Sequence, residues 1–227
     1  MSKTPRWFYV AFAGATLLSS ISFKPTTPSA VSASSPAATV PPAAKPVAMN
    51  KSKIKQLIEP STVMINSGKE IGSGSIIANN QVLTCDHVIR NEQPINVRLA
   101  DKQTTYPATV IKRDRANDLA IIQVHSDRAL SAIKFAEEAT EGETIFALGS
   151  PYGSQGAISQ GIVTGYRQGD VVFKATGEER INPGNSGGPG VNDRGEQNSV
   201  VCGVDRDDRD IAFARSIFKA KQLLEAK

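Results

Sequence analysis

The chain has 227 residues, of which 40% are hydrophobic and 21% charged, the ordinary balance of a soluble globular protein. Most of its formal charge of +4 comes from Lys3, Arg6 and Lys24 in residues 1–33, where no acidic residue occurs, so the rest of the chain is nearly neutral. Because no dense basic stripe is present, the composition argues against a nucleic-acid partner.

Residues 1–33 have the pattern of an export signal. Lys3 and Arg6 precede an apolar run that begins at Trp7, and Val31–Ala33 is an acceptable cleavage site. The charge-free stretch Trp7–Phe23 leaves an uncleaved anchor open, although it is short for a full membrane span. We therefore predict an exported protein, periplasmic or extracellular, that is either released or tethered to the membrane.

Residues 34–50 are rich in Pro and Ala and predict a linker, and residues 51–227 predict a single folded domain built mostly of strands. After a short helix over Lys51–Ile58, apolar runs of three to six residues alternate with turn residues, which is typical of an all-β barrel or sandwich. A helix over 216–227 closes the chain. The predicted strand segments are Val63–Ile65, Gly74–Ile77, Gln81–Thr84, Ile95–Leu99, Thr109–Ile111, Leu119–Val124, Thr144–Leu148, Gly161–Thr164, Val171–Phe173 and Ser199–Val204.

A serine between glycines is the strongest chemical signal. Ser186 lies in the stretch Asn182–Pro189, where the glycines permit the unusual backbone angles of an exposed nucleophile on a tight turn. The backbone N–H groups of Gly184, Asn185 and Ser186 are candidates for an oxyanion hole, Gly184 and Ser186 above all. The alternative is a glycine-rich turn without chemistry.

A nucleophilic serine needs a base and an orienting acid. Of the two histidines, His87 follows an apolar strand, whereas His125 begins a polar turn and is interpreted as a surface residue. Asp118 leads into the strand Leu119–Val124 and is the best candidate acid. Asp114, between two arginines, is predicted to be solvated, and Asp86 is a poor partner because neighbours on a strand point to opposite faces.

Chain order separates the possible classes of hydrolase. Gly184-x-Ser186-x-Gly188 also fits the nucleophile elbow of α/β-hydrolases, but no histidine follows Ser186, as that class requires. The order Asp118, His125, Ser186 would mimic subtilisin, but the chain lacks alternating helices. The order His87, Asp118, Ser186 is that of trypsin.

Six segments, in the same order, resemble the HtrA/Deg branch of the trypsin-like peptidases over roughly residues 60–215. They are Gly72–Ile77, Leu83–Val88, Asp114–Ala120, Ala147–Gly153, Gly161–Thr164 and Gly184–Pro189.

The resemblance implies two six-stranded antiparallel β-barrels of the chymotrypsin type, about residues 60–127 and 138–215, with a C-terminal helix. His87 would come from the edge of the first barrel, Asp118 from its inter-barrel side and Ser186 from the second barrel. The expected reaction is hydrolysis of peptide bonds through an acyl-enzyme, with loss of activity as the pH falls through about 6.5. This mechanism needs no metal or organic cofactor, and its substrates would be unfolded proteins or peptides.

The family pattern also assigns Arg180 and Asn182 to the primary specificity pocket. A buried Arg180 would favour an acidic side chain at the cleaved bond, whereas a solvent-facing one would pair with Glu178 or Glu179. Asn185 stands where digestive relatives have an aspartate that pairs with a new N-terminus, so activation by cleavage is not expected.

Two family features are not predicted here. Only about 12 residues follow Arg215, too few for the PDZ domain that usually follows the peptidase. Family trimers rest on aromatic residues near the start of the peptidase domain, and between Phe23 and Tyr106 this sequence has none.

Two questions stay open at the level of sequence. Cys85 and Cys202 lack metal-ligand spacing, and export makes a disulfide between them possible without showing it. A non-cleaving, chaperone-like binding module on the same fold is the competing function, and an esterase is disfavoured by chain order.

Overall fold

The structure is a computed structural model that describes residues 49–90 and 94–226. The predicted signal and most of the predicted linker lie outside these residues. Two helices and twelve strands follow one another along the described chain. They are α1 (Lys51–Ile58), β1 (Thr62–Ser67), β2 (Glu70–Ala78), β3 (Gln81–Thr84), β4 (Ile95–Arg98), β5 (Thr105–Asp114), β6 (Leu119–Val124), β7 (Thr144–Gly149), β8 (Ala157–Arg167), β9 (Asp170–Thr176), β10 (Pro189–Val191), β11 (Gln197–Val204), β12 (Ile211–Ser216) and α2 (Ile217–Glu225).

The strands form two closed antiparallel barrels of six strands each. The first has the order β1-β2-β3-β6-β5-β4 and the second β10-β11-β12-β9-β8-β7. This confirms the predicted fold class, including the C-terminal helix α2. Closure leaves neither barrel with a fully open edge, which explains how so many short strands form a stable unit.

The apolar core has two parts. One cluster fills the first barrel and continues between the barrels to α2, where Ile217, Ala220 and Leu223 are buried. A smaller cluster around Phe173 fills the second barrel. The continuous first cluster fixes the barrels against each other, and the cleft between them is the place where loops from both meet.

Both helices begin at a side-chain cap. Asn50 accepts a hydrogen bond from the Lys53 N–H at 3.0 Å, and Ser216 accepts one from the Lys219 N–H. Neither helix of the described chain is long and apolar enough to cross a bilayer.

Candidate active site

His87 lies on a short helical turn, Asp86–Ile89, that follows β3. The expectation that Asp86 and His87 are neighbours on a strand was therefore wrong. On this turn the Asp86 side chain points into the protein and is buried. Its Oδ1 atom lies 3.4 Å from Arg113 Nη1. Asp86 is therefore engaged with Arg113.

Asp118 and His87 make two direct hydrogen bonds. The Asp118 Oδ1 atom accepts the His87 backbone N–H at 2.9 Å, and Oδ2 lies 2.8 Å from His87 Nδ1. Asp118 has a φ of 53°, a left-handed conformation that Asp tolerates better than most residues, directly before β6. The carboxylate thus fixes both the backbone and the ring of the histidine.

The Asp118 carboxyl is held in its charged form. Partial burial by itself would raise its pKa, but the hydrogen bond and charge of His87, with the charge of Arg215, outweigh burial and keep the pKa below its ordinary value. A carboxylate that stays ionised can orient the histidine ring with its Nδ1 proton toward Asp118.

Ser186 lies between two glycines that no other residue could replace without strain. Gly184 has a φ of 104°, and a Cβ on it would lie 2.2 Å from the Ser150 carbonyl oxygen. Gly187 has a φ of 86°, and a Cβ there would lie 2.1 Å from Thr84 Oγ1. Tight packing under the turn therefore requires both glycines.

The serine hydroxyl donates to the Cys202 carbonyl oxygen at 3.2 Å, and the structure has no hydrogen bond from it to the His87 ring. Hydrogen bonds between nucleophile and base are commonly looser before substrate binds.

The peptide between Pro183 and Gly184 has a defined orientation. The Pro183 carbonyl accepts the Tyr152 N–H at 2.8 Å. Because N–H and C=O point to opposite sides of a trans peptide, the Gly184 N–H faces away from Tyr152. Within the described chain neither this N–H nor that of Ser186 has an acceptor. Both are thus free to bind an oxygen.

Contacts from the first barrel support the Ser186 loop. Ser73 Oγ donates to the Gly184 carbonyl at 2.7 Å, and the Ser73 N–H donates to the Ser186 carbonyl at 2.8 Å. Asn185 is buried beneath the loop, with its Oδ1 atom close to Gly149.

A disulfide joins Cys85, two residues before His87, to Cys202 on β11, with the two Cα atoms 6.4 Å apart. It crosslinks the two barrels next to the cleft.

Three residues beside the cleft have potential metal-ligand atoms within 4.8 Å of one another: Cys85, His87 and Asp118. The sulfur is in the disulfide and His87 Nδ1 is bonded to Asp118, so these atoms are already used within the protein.

A mostly apolar cavity of about 220 Å³ opens beside Ser186. Its lining consists of Ile181, Asn182, Pro183, Ser186, Gly203 and Val204.

The Arg180 side chain lies outside this lining. Its Nε atom binds Asp210 at 2.9 Å and Nη1 donates to the Gly177 carbonyl at 2.6 Å, so it faces Asp210 and neither Glu178 nor Glu179.

The other candidate residues are held away from the cleft. His125 is exposed, with its Nε2 atom 3.1 Å from Thr109 Oγ1. Asp114 accepts hydrogen bonds from the backbone and side chain of Asn117.

The structure thus brings together His87, Asp118 and the Ser186 loop. It adds Arg215, Ser73 and Tyr152, which sequence reasoning missed. For Arg215, the available signal was an arginine directly after the apolar run Ile211–Ala214.

This fold, with a histidine–aspartate pair facing a serine across two barrels, defines the class of trypsin-like peptidase domains. The family model "Trypsin-like peptidase domain" matches residues 72–216, and the chain belongs to that family.

Its relatives include bacterial endoproteases. The periplasmic serine endoprotease DegP of Salmonella typhimurium is 36% identical over 63% of this chain and 33% of its own length. A probable periplasmic serine endoprotease, DegP-like, of Buchnera aphidicola is 33% identical over 68% of this chain and 35% of its own. The chain spans about a third of the length of these curated relatives.

Solved structures agree on the architecture. A serine endoprotease from Yersinia pestis superposes with a TM-score of 0.70 and 25% identity, covering 77% of this chain and 65% of that one. The Rv3671c protease of M. tuberculosis in its active form gives a TM-score of 0.67 at 24% identity, covering 75% and 82%, a likeness of fold.

Proposed function

We propose that this protein is a serine endopeptidase that cleaves peptide bonds through an acyl-enzyme on Ser186. His87 takes the serine proton and later gives it to the leaving amine. Asp118 fixes the tautomer of His87 and stabilises its charged form. The observation that carries the proposal is the pair of hydrogen bonds between Asp118 and His87, with Ser186 across the cleft.

The oxyanion formed during attack would be held by the N–H groups of Gly184 and Ser186. The bond between the Pro183 carbonyl and the Tyr152 N–H supports this, because it keeps the Gly184 N–H turned outward in the absence of substrate. On this basis the site needs no partner to form its oxyanion hole.

The substrate would bind as an additional strand. Beyond Val201, β11 is paired on one side with β12, whereas no strand of the described chain covers the other edge of Cys202–Val204. An extended peptide on that edge would gain backbone hydrogen bonds and pass the scissile carbonyl over Ser186.

The residue before the cleaved bond would enter the cavity lined by Ile181 and Val204. Its size and apolar lining support a preference for aliphatic side chains. Arg180 binds Asp210 and lies outside the cavity lining, so we do not propose a preference for acidic residues before the cleaved bond. A panel of peptides that differ only at this position should give faster cleavage after Val or Leu than after Glu, and equal rates would contradict the assignment.

We also propose that the protein acts outside the cytoplasm on unfolded proteins or peptides, in protein quality control or processing. The relatives named periplasmic support this location, together with the export pattern of residues 1–33. Protease protection in fractionated cells would test it.

The direct test is hydrolysis of fluorescent casein at neutral pH. The Ser186→Ala variant should lose cleavage by at least three orders of magnitude, whereas Ser131→Ala, which alters an exposed serine, should keep it. If the wild-type chain binds casein without cleaving it, the competing reading as a binding module would replace the peptidase.

A further inference from the structure

Arg215 brings a positive charge from the second barrel to the acid in the first. It lies on β12, and its Nη2 atom is 3.7 Å from Asp118 Oδ2, the oxygen that also binds His87 Nδ1 at 2.8 Å. One carboxylate oxygen is thus shared between the imidazole ring and a guanidinium group.

The guanidinium is held in place. Arg215 lies directly opposite Asp170 in the β9–β12 pairing, and its Nη1 atom binds the Asp170 carboxylate. The other Asp170 oxygen binds Lys219 Nζ at 2.7 Å. Arg215 is only 24% exposed, so its position is set by packing and by Asp170.

The surrounding charges come from both barrels. On the first barrel, Asp86 is paired with Arg113. Partial burial would raise the pKa of Asp114, but hydrogen bonds from Asn117 and, to a smaller extent, the charge of Lys219 keep it below its ordinary value. On the second, Arg215 is the cation nearest to Asp118 among the described residues, and Asp170 and Lys219 lie behind it. Among the described residues, removal of Arg215 would therefore leave His87 as the one group close to Asp118 that can carry a positive charge.

We propose that Arg215 is a positioning residue that anchors the Asp118 carboxylate from the second barrel and places a fixed positive charge beside the His87–Asp118 pair. The role of Arg215 in catalysis rests on the proposed function, whereas its electrostatic effect on the His87–Asp118 pair does not. The guanidinium repels a protonated imidazole on the other side of the shared oxygen. It also holds the carboxylate where it must be for His87 to face Ser186.

The size of the effect follows from the separation. Since both nitrogens contact the same oxygen, they lie within roughly 6 to 7 Å of each other, and two unit charges at that distance in a water-like dielectric shift a titration midpoint by about half a pH unit. The conservative change Arg215→Met removes the charge and keeps most of the side-chain length.

An NMR titration tests the protonation directly, because the chain has only two histidines. In the Ser186→Ala background, Arg215→Met should raise the titration midpoint of the His87 ring signal by about half a pH unit. Asp170→Asn should move it the opposite way, by less, since it removes a negative charge behind Arg215. His125, at the far end of β6 and about 20 Å away, should not move in either variant.

Activity gives a second readout. In the chain with Ser186, Arg215→Met should lower kcat several-fold, leave KM nearly unchanged and shift the acid limb of the pH profile upward. Arg128→Met is the matched control, because Arg128 is exposed and is paired with Asp101. It should change neither value.

The outcomes separate the two proposals. An unchanged His87 midpoint in Arg215→Met, or shifts of the same sign in Arg215→Met and Asp170→Asn, would overturn the role of Arg215. If Arg215→Met and Asp170→Asn shift the His87 midpoint in opposite directions but the wild-type chain cleaves no substrate, the charge coupling is supported and the peptidase function is rejected.

Discussion

The two barrels contribute to the site in different ways. The first barrel supplies His87 and Asp118 already bonded to each other, on a turn and at a strand end within the same barrel. The second supplies the loop around Ser186, whose carbonyls are held by Ser73 from the first barrel. One half of the proposed site is therefore locally determined, whereas the other depends on how the barrels meet.

Asp118→Asn should break the half supplied by the first barrel. Loss of the charged acceptor permits the wrong tautomer of His87, and kcat should fall by about four orders of magnitude. The measurement is peptide hydrolysis across pH, with circular dichroism to establish folding. A loss of less than tenfold would argue that Asp118 does not orient His87.

Gly184→Ala should disrupt the half supplied by the second barrel. Its Cβ would press on the Ser150 carbonyl and move the loop, so hydrolysis should fall by about two to three orders of magnitude. Gly177→Ala is the matched control, with a φ of 85° but open space around a Cβ, so it adds backbone strain alone. Equal activity in the two variants would contradict a packed oxyanion loop.

Removal of the disulfide should loosen the connection between the halves. The Cys85→Ser, Cys202→Ser double variant should lose about 2 to 5 kcal/mol of stability toward unfolding, since the bond closes a loop of 117 residues. Peptide hydrolysis should also slow, because the disulfide lies beside His87 and the Cys202 carbonyl accepts the hydrogen bond of the Ser186 hydroxyl. Urea unfolding of the variant measures the first effect, and an unchanged midpoint would contradict it.

The smallest expected effect lies outside the cleft, at Asp101. Hydrogen bonds from Thr104 and Gln103 lower its pKa from 3.8 to about 2. A lowered folded-state pKa stabilises the fold above the unfolded value, and this contribution is lost as pH falls through the folded one. The melting temperature of Asp101→Asn should therefore lie slightly below wild type at pH 6, and the difference should vanish between about pH 4 and pH 2. A constant difference across that range would contradict the assignment.

The sequence predicts what is local. Turn residues and short apolar runs indicate the strands, and chain order selects His87, Asp118 and Ser186 from the alternatives. Contacts between distant strands are not encoded in such patterns. The nearness of Arg215 to Asp118, the pairing of Cys85 with Cys202 and the turning of Arg180 to Asp210 follow from how the barrels close and pack. Asp86 was set aside for a reason that assumed a strand, whereas the structure has a helical turn there.

Covalent labelling of Ser186 tests most directly whether the two halves form one working site. Wild-type protein treated with a fluorophosphonate at pH 7.5 should gain one adduct by intact mass, mapped by peptide sequencing to Ser186. His87→Ala and Gly184→Ala should each reduce the labelling rate at least a hundredfold. An unlabelled wild-type chain, or labelling that is equally fast without His87, would contradict the proposed site.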